Sequence, residues 1–62
     1  MYEKLKELLD ERGITVAEMC RETGISQSTM SNLKERGGNL SVENLVKVTR
    51  YLGVTVESIV EG

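Results

Sequence analysis

The sequence predicts an all-α fold, five short helices packed as one compact domain over residues 1–62. Three observations carry this expectation. Apolar residues recur at helical spacing, most clearly at Tyr2, Leu5, Leu8 and Leu9 and again at Leu45, Val48 and Leu52. Ser or Thr stands where helices would start, and Gly where they would stop. Proline is absent, so nothing breaks these patterns from within.

The first helix covers residues 2–12 and is stopped by Gly13, a residue type that takes a left-handed C-terminal turn at little cost. Thr15 opens the second helix, and Glu18 three residues later completes a Thr-x-x-Glu capping box. Val16, Met19 and Cys20 form its apolar side. It ends at Thr23, and Gly24 supplies the turn. Ser26 caps the third helix, expected over about residues 26–36 with Met30 and Leu33 inward. Gly37-Gly38-Asn39-Leu40 reads as a loop. Ser41 caps the fourth helix, with Glu43 in its first turn where the macrodipole favours an anion. Leu45, Val48 and Leu52 face inward, Val42 and Tyr51 flank them, and Gly53 stops the helix. Thr55 opens a short fifth helix carrying Val56, Ile59 and Val60. The β-branched run 54–56 also fits a strand, but the 56/59/60 spacing and the Gly-x-Thr punctuation favour helix.

A chain of about 60 residues buries only about 60% of its unfolded surface, so a partner subunit would add to a thin core. Hydrophobic residues at 39% against 29% charged make a globular rather than a disordered balance. With no Trp or Phe, the core is aliphatic. The single Cys20 forms no internal disulfide framework and reads as a small core residue. With no histidine either, a zinc site would need carboxylates alone or a second chain. No apolar run approaches the roughly 20 residues of a membrane span, and the N-terminal stretch lacks a signal-peptide core. The expected location is the cytoplasm.

Catalysis is not expected. Without histidine no nucleophile–base pair assembles, and no Lys–Ser or carboxylate pair is singled out by spacing. Gly37-Gly38 lacks the Lys-Ser/Thr of a phosphate-cradling loop. No cofactor, metal or small-molecule ligand is implied.

The informative stretch is 16–33. Two helices that cross steeply need a small residue in the middle of the first, and Cys20 stands there. Their turn needs a residue tolerant of positive φ, and Gly24 provides it. The second helix must be anchored from beneath, by Met19, Ile25, Met30 and Leu33, leaving its opposite face free. The net charge is −2, yet residues 23–42 carry Lys34 and Arg36 against Glu35 alone and form the one net-positive segment.

Val16-Ala-Glu-Met-Cys-Arg-Glu-Thr-Gly-Ile-Ser-Gln-Ser-Thr-Met-Ser-Asn-Leu33 resembles the helix-turn-helix of the Cro/phage-repressor family, also called the xenobiotic-response-element family. Tyr51-Leu-Gly-Val-Thr-Val-Glu resembles its closing helices, so the likeness covers nearly the whole chain. It implies a five-helix, lambda-repressor-like domain that binds double-stranded operator DNA, usually as a homodimer, and controls transcription. In that family the second helix of the motif lies in the major groove. Carried onto this sequence, Gln27, Ser28, Ser31 and Asn32 form the base-reading face. Gln27 and Asn32 bear amides able to pair bidentately with adenine. Thr15, Ser26, Thr29, Lys34, Arg36, Asn39 and Ser41 are the expected phosphate contacts. Ser26 is in the first place a helix cap, and Lys34 and Arg36 also fit ordinary surface charges. Tyr51, Val54, Val56, Ile59 and Val60 exceed what one short helix needs for its own core and are the expected dimer seam. The chain departs from the family at Val16, where Gln is frequent, and carries no arginine on the reading face. The leading expectation is a repressor with half-sites roughly 34–36 Å apart. The alternative is a protein-interaction module of the same fold, antitoxin-like or anti-repressor-like, with weak or no DNA binding; the acidic balance and Val16 favour it.

Overall fold

The first helix ends in a double-bonded turn. Gly13, at φ 68°, donates its N–H to the Asp10 carbonyl, and Ile14 donates to the Leu9 carbonyl at 2.9 Å. This is the Schellman pattern, which satisfies two carbonyls that the helix leaves open. The computed structural model describes residues 1–60, so the expected domain end at residue 62 lies outside the described residues. The elements are α1 (Tyr2–Glu11), α2 (Val16–Thr23), α3 (Gln27–Arg36), α4 (Val42–Leu52) and α5 (Val56–Val60), with no strand among the described residues. At the disputed run 54–56 the Thr55 hydroxyl accepts from the Ser58 N–H at 3.3 Å, starting a helix.

Every helix contributes a side chain that is 2% exposed or less: Leu5 and Leu9 from α1, Met19 from α2, Met30 from α3, Val48 from α4 and Ile59 from α5. All five elements therefore meet in one aliphatic core. The third helix rests on α1 and α2, while α4 rests on α2 and α5, and α5 closes back on α1. Cys20 is 5% exposed, and burial pushes its thiol pKa up, as suits a packing residue rather than a reactive one.

Two expectations change, and one residue of the expected loop joins the core. Val42 does not flank the core: it is 79% exposed at the first position of α4, where the helix runs past the elements that cover it. Thr49 takes the inward place instead, its hydroxyl satisfied by the Val46 carbonyl at 2.9 Å. Leu40, within the expected loop, is buried, and its N–H donates to the Met1 sulfur at 3.3 Å. The capping box at α2 forms one arm only. Thr15 Oγ1 accepts from the Glu18 N–H at 3.1 Å, without a return bond from the Thr15 N–H to the Glu18 carboxylate.

Gly24 joins α2 to α3 at φ 82° and ψ 5°, donating its N–H to the Cys20 carbonyl. A Cβ at this position would meet no atom within 4 Å, so only the backbone resists a side chain. Gly24→Ala is expected to cost about 1–2 kcal/mol, each kcal/mol lowering the melting temperature by roughly 4–8 °C in a domain of this size. A thermal melt of the variant that coincides with the parent's would overturn this account of the turn.

Candidate nucleic-acid interface

The third helix starts at a hydroxyl pair. Ser26 Oγ accepts from the Thr29 N–H at 3.2 Å, and the two hydroxyls are bonded to each other at 2.8 Å. The cap therefore uses two of the residues expected at phosphates, and leaves the pair one hydroxyl hydrogen. Ahead of them, Thr23 braces the turn: its hydroxyl donates to the Met19 carbonyl at 2.7 Å and accepts from the Ile25 N–H at 3.4 Å.

Successive helix residues are about 100° apart. With Met30 and Leu33 buried and Thr29 half-buried, the remaining arc exposes Gln27, Ser28, Ser31 and Asn32 on one side. The four expected reading residues thus share a face. It is polar, uncharged over its first two turns, and opposite the core.

Between the C-terminal half of α3 and the start of α4 lies a groove of about 320 Å³. Thr29, Asn32, Arg36, Asn39, Ser41 and Asn44 line it, over the buried Leu33 and Leu40. The structure thus brings four expected phosphate contacts, Thr29, Arg36, Asn39 and Ser41, to one depression beside Asn32. Ser41 caps α4 by accepting from the Asn44 N–H at 3.3 Å. Asn44 was not singled out in the sequence; it reaches the groove because the loop 37–41 brings the start of α4 alongside the end of α3. Thr15 stands apart, exposed at the start of α2. Lys34 also stands apart, on the other flank of α3 in a depression with Met1, Tyr2 and Glu3. The ion pairs among the described residues, Lys6–Asp10 and Lys47–Glu43, involve neither Lys34 nor Arg36.

The residues expected at a dimer seam divide. Ile59 is 1% exposed and belongs to the protomer's own core, which removes it from the seam. Val54 is half-buried against the same core. Tyr51 faces α2, where partial desolvation and then the carboxylates of Glu18 and Glu22 raise its phenol pKa. Val56 and Val60, 40% and 51% exposed, remain on the outside of α5. Val16 packs half-buried against the core, so its side chain is committed inward.

A left-handed turn between two capped helices, the second presenting a free polar face, defines a helix-turn-helix. The chain belongs to the Cro/C1-type HTH DNA-binding domain family, whose model matches residues 4–61. It is 30% identical, over 98% of its length and 87% of the relative's, to the SPbeta prophage-derived uncharacterized HTH-type transcriptional regulator YopO of Bacillus subtilis strain 168. It is 33% identical, over its full length, to the HTH-type transcriptional regulator DdrOP3 of Deinococcus deserti, of which it spans 48%. No solved structure matches the chain.

Replacing Ser26 with Ala removes the α3 cap and is expected to cost about 1 kcal/mol, whereas Ser26→Asp keeps an acceptor there. In urea titrations the Ala variant should unfold at a lower midpoint with unchanged slope; equal midpoints for Ala and Asp would contradict the cap.

Proposed function

We propose that the chain is a sequence-specific DNA-binding regulator of transcription, acting as a repressor on a two-fold-symmetric operator as a homodimer. The observation that carries this reading is the free polar face of α3, uncharged over its first two turns and raised from a helix pair of the Cro/C1 type. The relatives named as transcriptional regulators support it.

In this reading α3 enters the major groove. Gln27 pairs through its amide with an adenine edge, and Ser28, Ser31 and Asn32 donate or accept beside it. Arg36, Asn39, Ser41 and Thr29 hold the backbone from the α3–α4 groove, with Thr15, Ser26 and Lys34 as outlying contacts. Such contacts fix register and supply affinity without reading sequence. A protomer of net charge −2 offers few of them, so two half-sites roughly 34–36 Å apart, bound together, make up the deficit. The seam is assigned to Val56 and Val60, with Val54 and Tyr51 at its edge. No helix among the described residues is long and apolar enough to cross a membrane, and a cytoplasmic location beside the DNA is part of this reading.

A second reading, a protein-interaction module on the same scaffold, rests on the acidic balance and on Val16 being turned into the core. Selection of duplexes from a random pool, followed by anisotropy titration at about 50 mM salt, separates the two. Absence of binding to any duplex there would sink the DNA reading.

On the selected duplex, Gln27→Ala is expected to cost about 1–3 kcal/mol and to relax preference at one base position. Arg36→Ala should weaken all duplexes alike and flatten the salt dependence by about one unit of slope. Equal losses on every sequence from both variants would show that the division of roles is wrong. Val56→Asp with Val60→Asp should yield monomers in sedimentation at concentrations where the parent dimerises; unchanged dimers would place the seam elsewhere.

A further inference from the structure

On α3, Glu35 follows Ser28 by seven residues, two helical turns, and so lies on nearly the same line, directly opposite Met30 and Leu33. It is exposed, and the ion pairs among the described residues do not include it. Its neighbours Lys34 and Arg36 stand about 100° to either side, and adjacent helix residues do not face each other. The positions one turn back are Ser31 and Asn32, both neutral. The carboxylate also sits in the last turn of the helix, where the macrodipole disfavours an anion. The fold gains nothing from a negative charge here, yet the charge lies at the centre of the face offered to a polyanion.

We infer that Glu35 is a specificity-determining residue of this interface, accepting a hydrogen bond from a cytosine amino group and penalising DNA that sets none opposite it. The inference rests on the DNA-binding reading above. An ionised carboxylate only accepts, and the major groove offers it two kinds of donor, cytosine N4 and adenine N6. Adenine N6 lies beside the N7 acceptor, which repels a carboxylate, so cytosine is the better partner. The position read lies about 10 Å along the helix from Ser28. Where no amino group stands opposite, the carboxylate meets only acceptors and phosphates, and every such register is weakened.

Glu35→Gln keeps the shape and removes the charge. The probes are the duplex selected by the parent protein and a shuffled duplex of the same composition, each titrated at about 50 mM salt. The variant should bind the shuffled duplex about three- to tenfold more tightly, of the order expected from one close charge in water. The ratio of selected to shuffled affinity should fall accordingly, and a new selection with the variant should lose a cytosine preference at one position. An unchanged ratio, whether both affinities stay put or both rise by the same factor, overturns the inference while leaving DNA binding intact. Failure of the parent to bind any duplex overturns the DNA reading and this inference with it.

Discussion

The third helix buries only two of its ten residues, Met30 and Leu33, because the rest of its surface has to stay polar and free. Burial of an aliphatic side chain contributes about 1.5–3 kcal/mol, so two of them hold a helix down without fixing its direction. Direction comes from the ends. Ile25 before the helix and Leu40 after it are 5% and 7% exposed and pin both approaches to the core. The left-handed Gly24 sets the angle at which the chain arrives, and the Thr23 hydroxyl ties the carbonyl of Met19 to the N–H of Ile25 across that angle. A free face on a short helix is thus possible because its neighbours in sequence supply the anchoring that the helix does not.

The charge on this face is distributed by the same geometry. Arg36 lies in the groove toward α4 and Lys34 on the opposite flank toward the N-terminus, while the strip between them begins with amides and hydroxyls. Cations at two edges, with amides and hydroxyls leading the strip between them and the single carboxylate of Glu35 at its far end, suit a surface that meets a phosphate strand on each side and base edges between them. Net charge is a poor guide to such a surface. The chain is acidic as a whole, but of its ten acidic residues only Glu35 lies on α3.

The helix boundaries were legible because each is written in local chemistry. Thr15, Ser26, Ser41 and Thr55 accept from the backbone N–H three residues ahead, and such bonds depend on nothing distant. The exposed polar face of α3 was legible for a related reason, since the positions of Met30 and Leu33 determine which arc is left over. Features that depend on the meeting of distant segments were not legible. Leu40 follows a Gly-Gly pair with no periodicity to mark it, and it is buried by the approach of Met1. Thr49 is polar, and its burial becomes acceptable once its hydroxyl bonds to the preceding turn. Ile59 and Val60 are adjacent and equally apolar, so only the packing of α5 on α1 and α4 separates a core residue from a surface one. The Asn44 side of the groove exists only in three dimensions.

The turn and cap bonds close over three to five residues, whereas the Leu40 amide reaches Met1 across 39. Closing short loops requires little ordering of the chain before contacts reward it, which is why helical domains with local contacts fold in microseconds to milliseconds. On this ground the helix pair around Gly24 is expected to organise early, and the contact between Met1 and Leu40 late. The order has a practical sense for the surface that would meet DNA. Its α3 strip depends on the fast local closures alone, while the groove side, which Leu40 underlies, depends also on the closure that brings Leu40 to Met1.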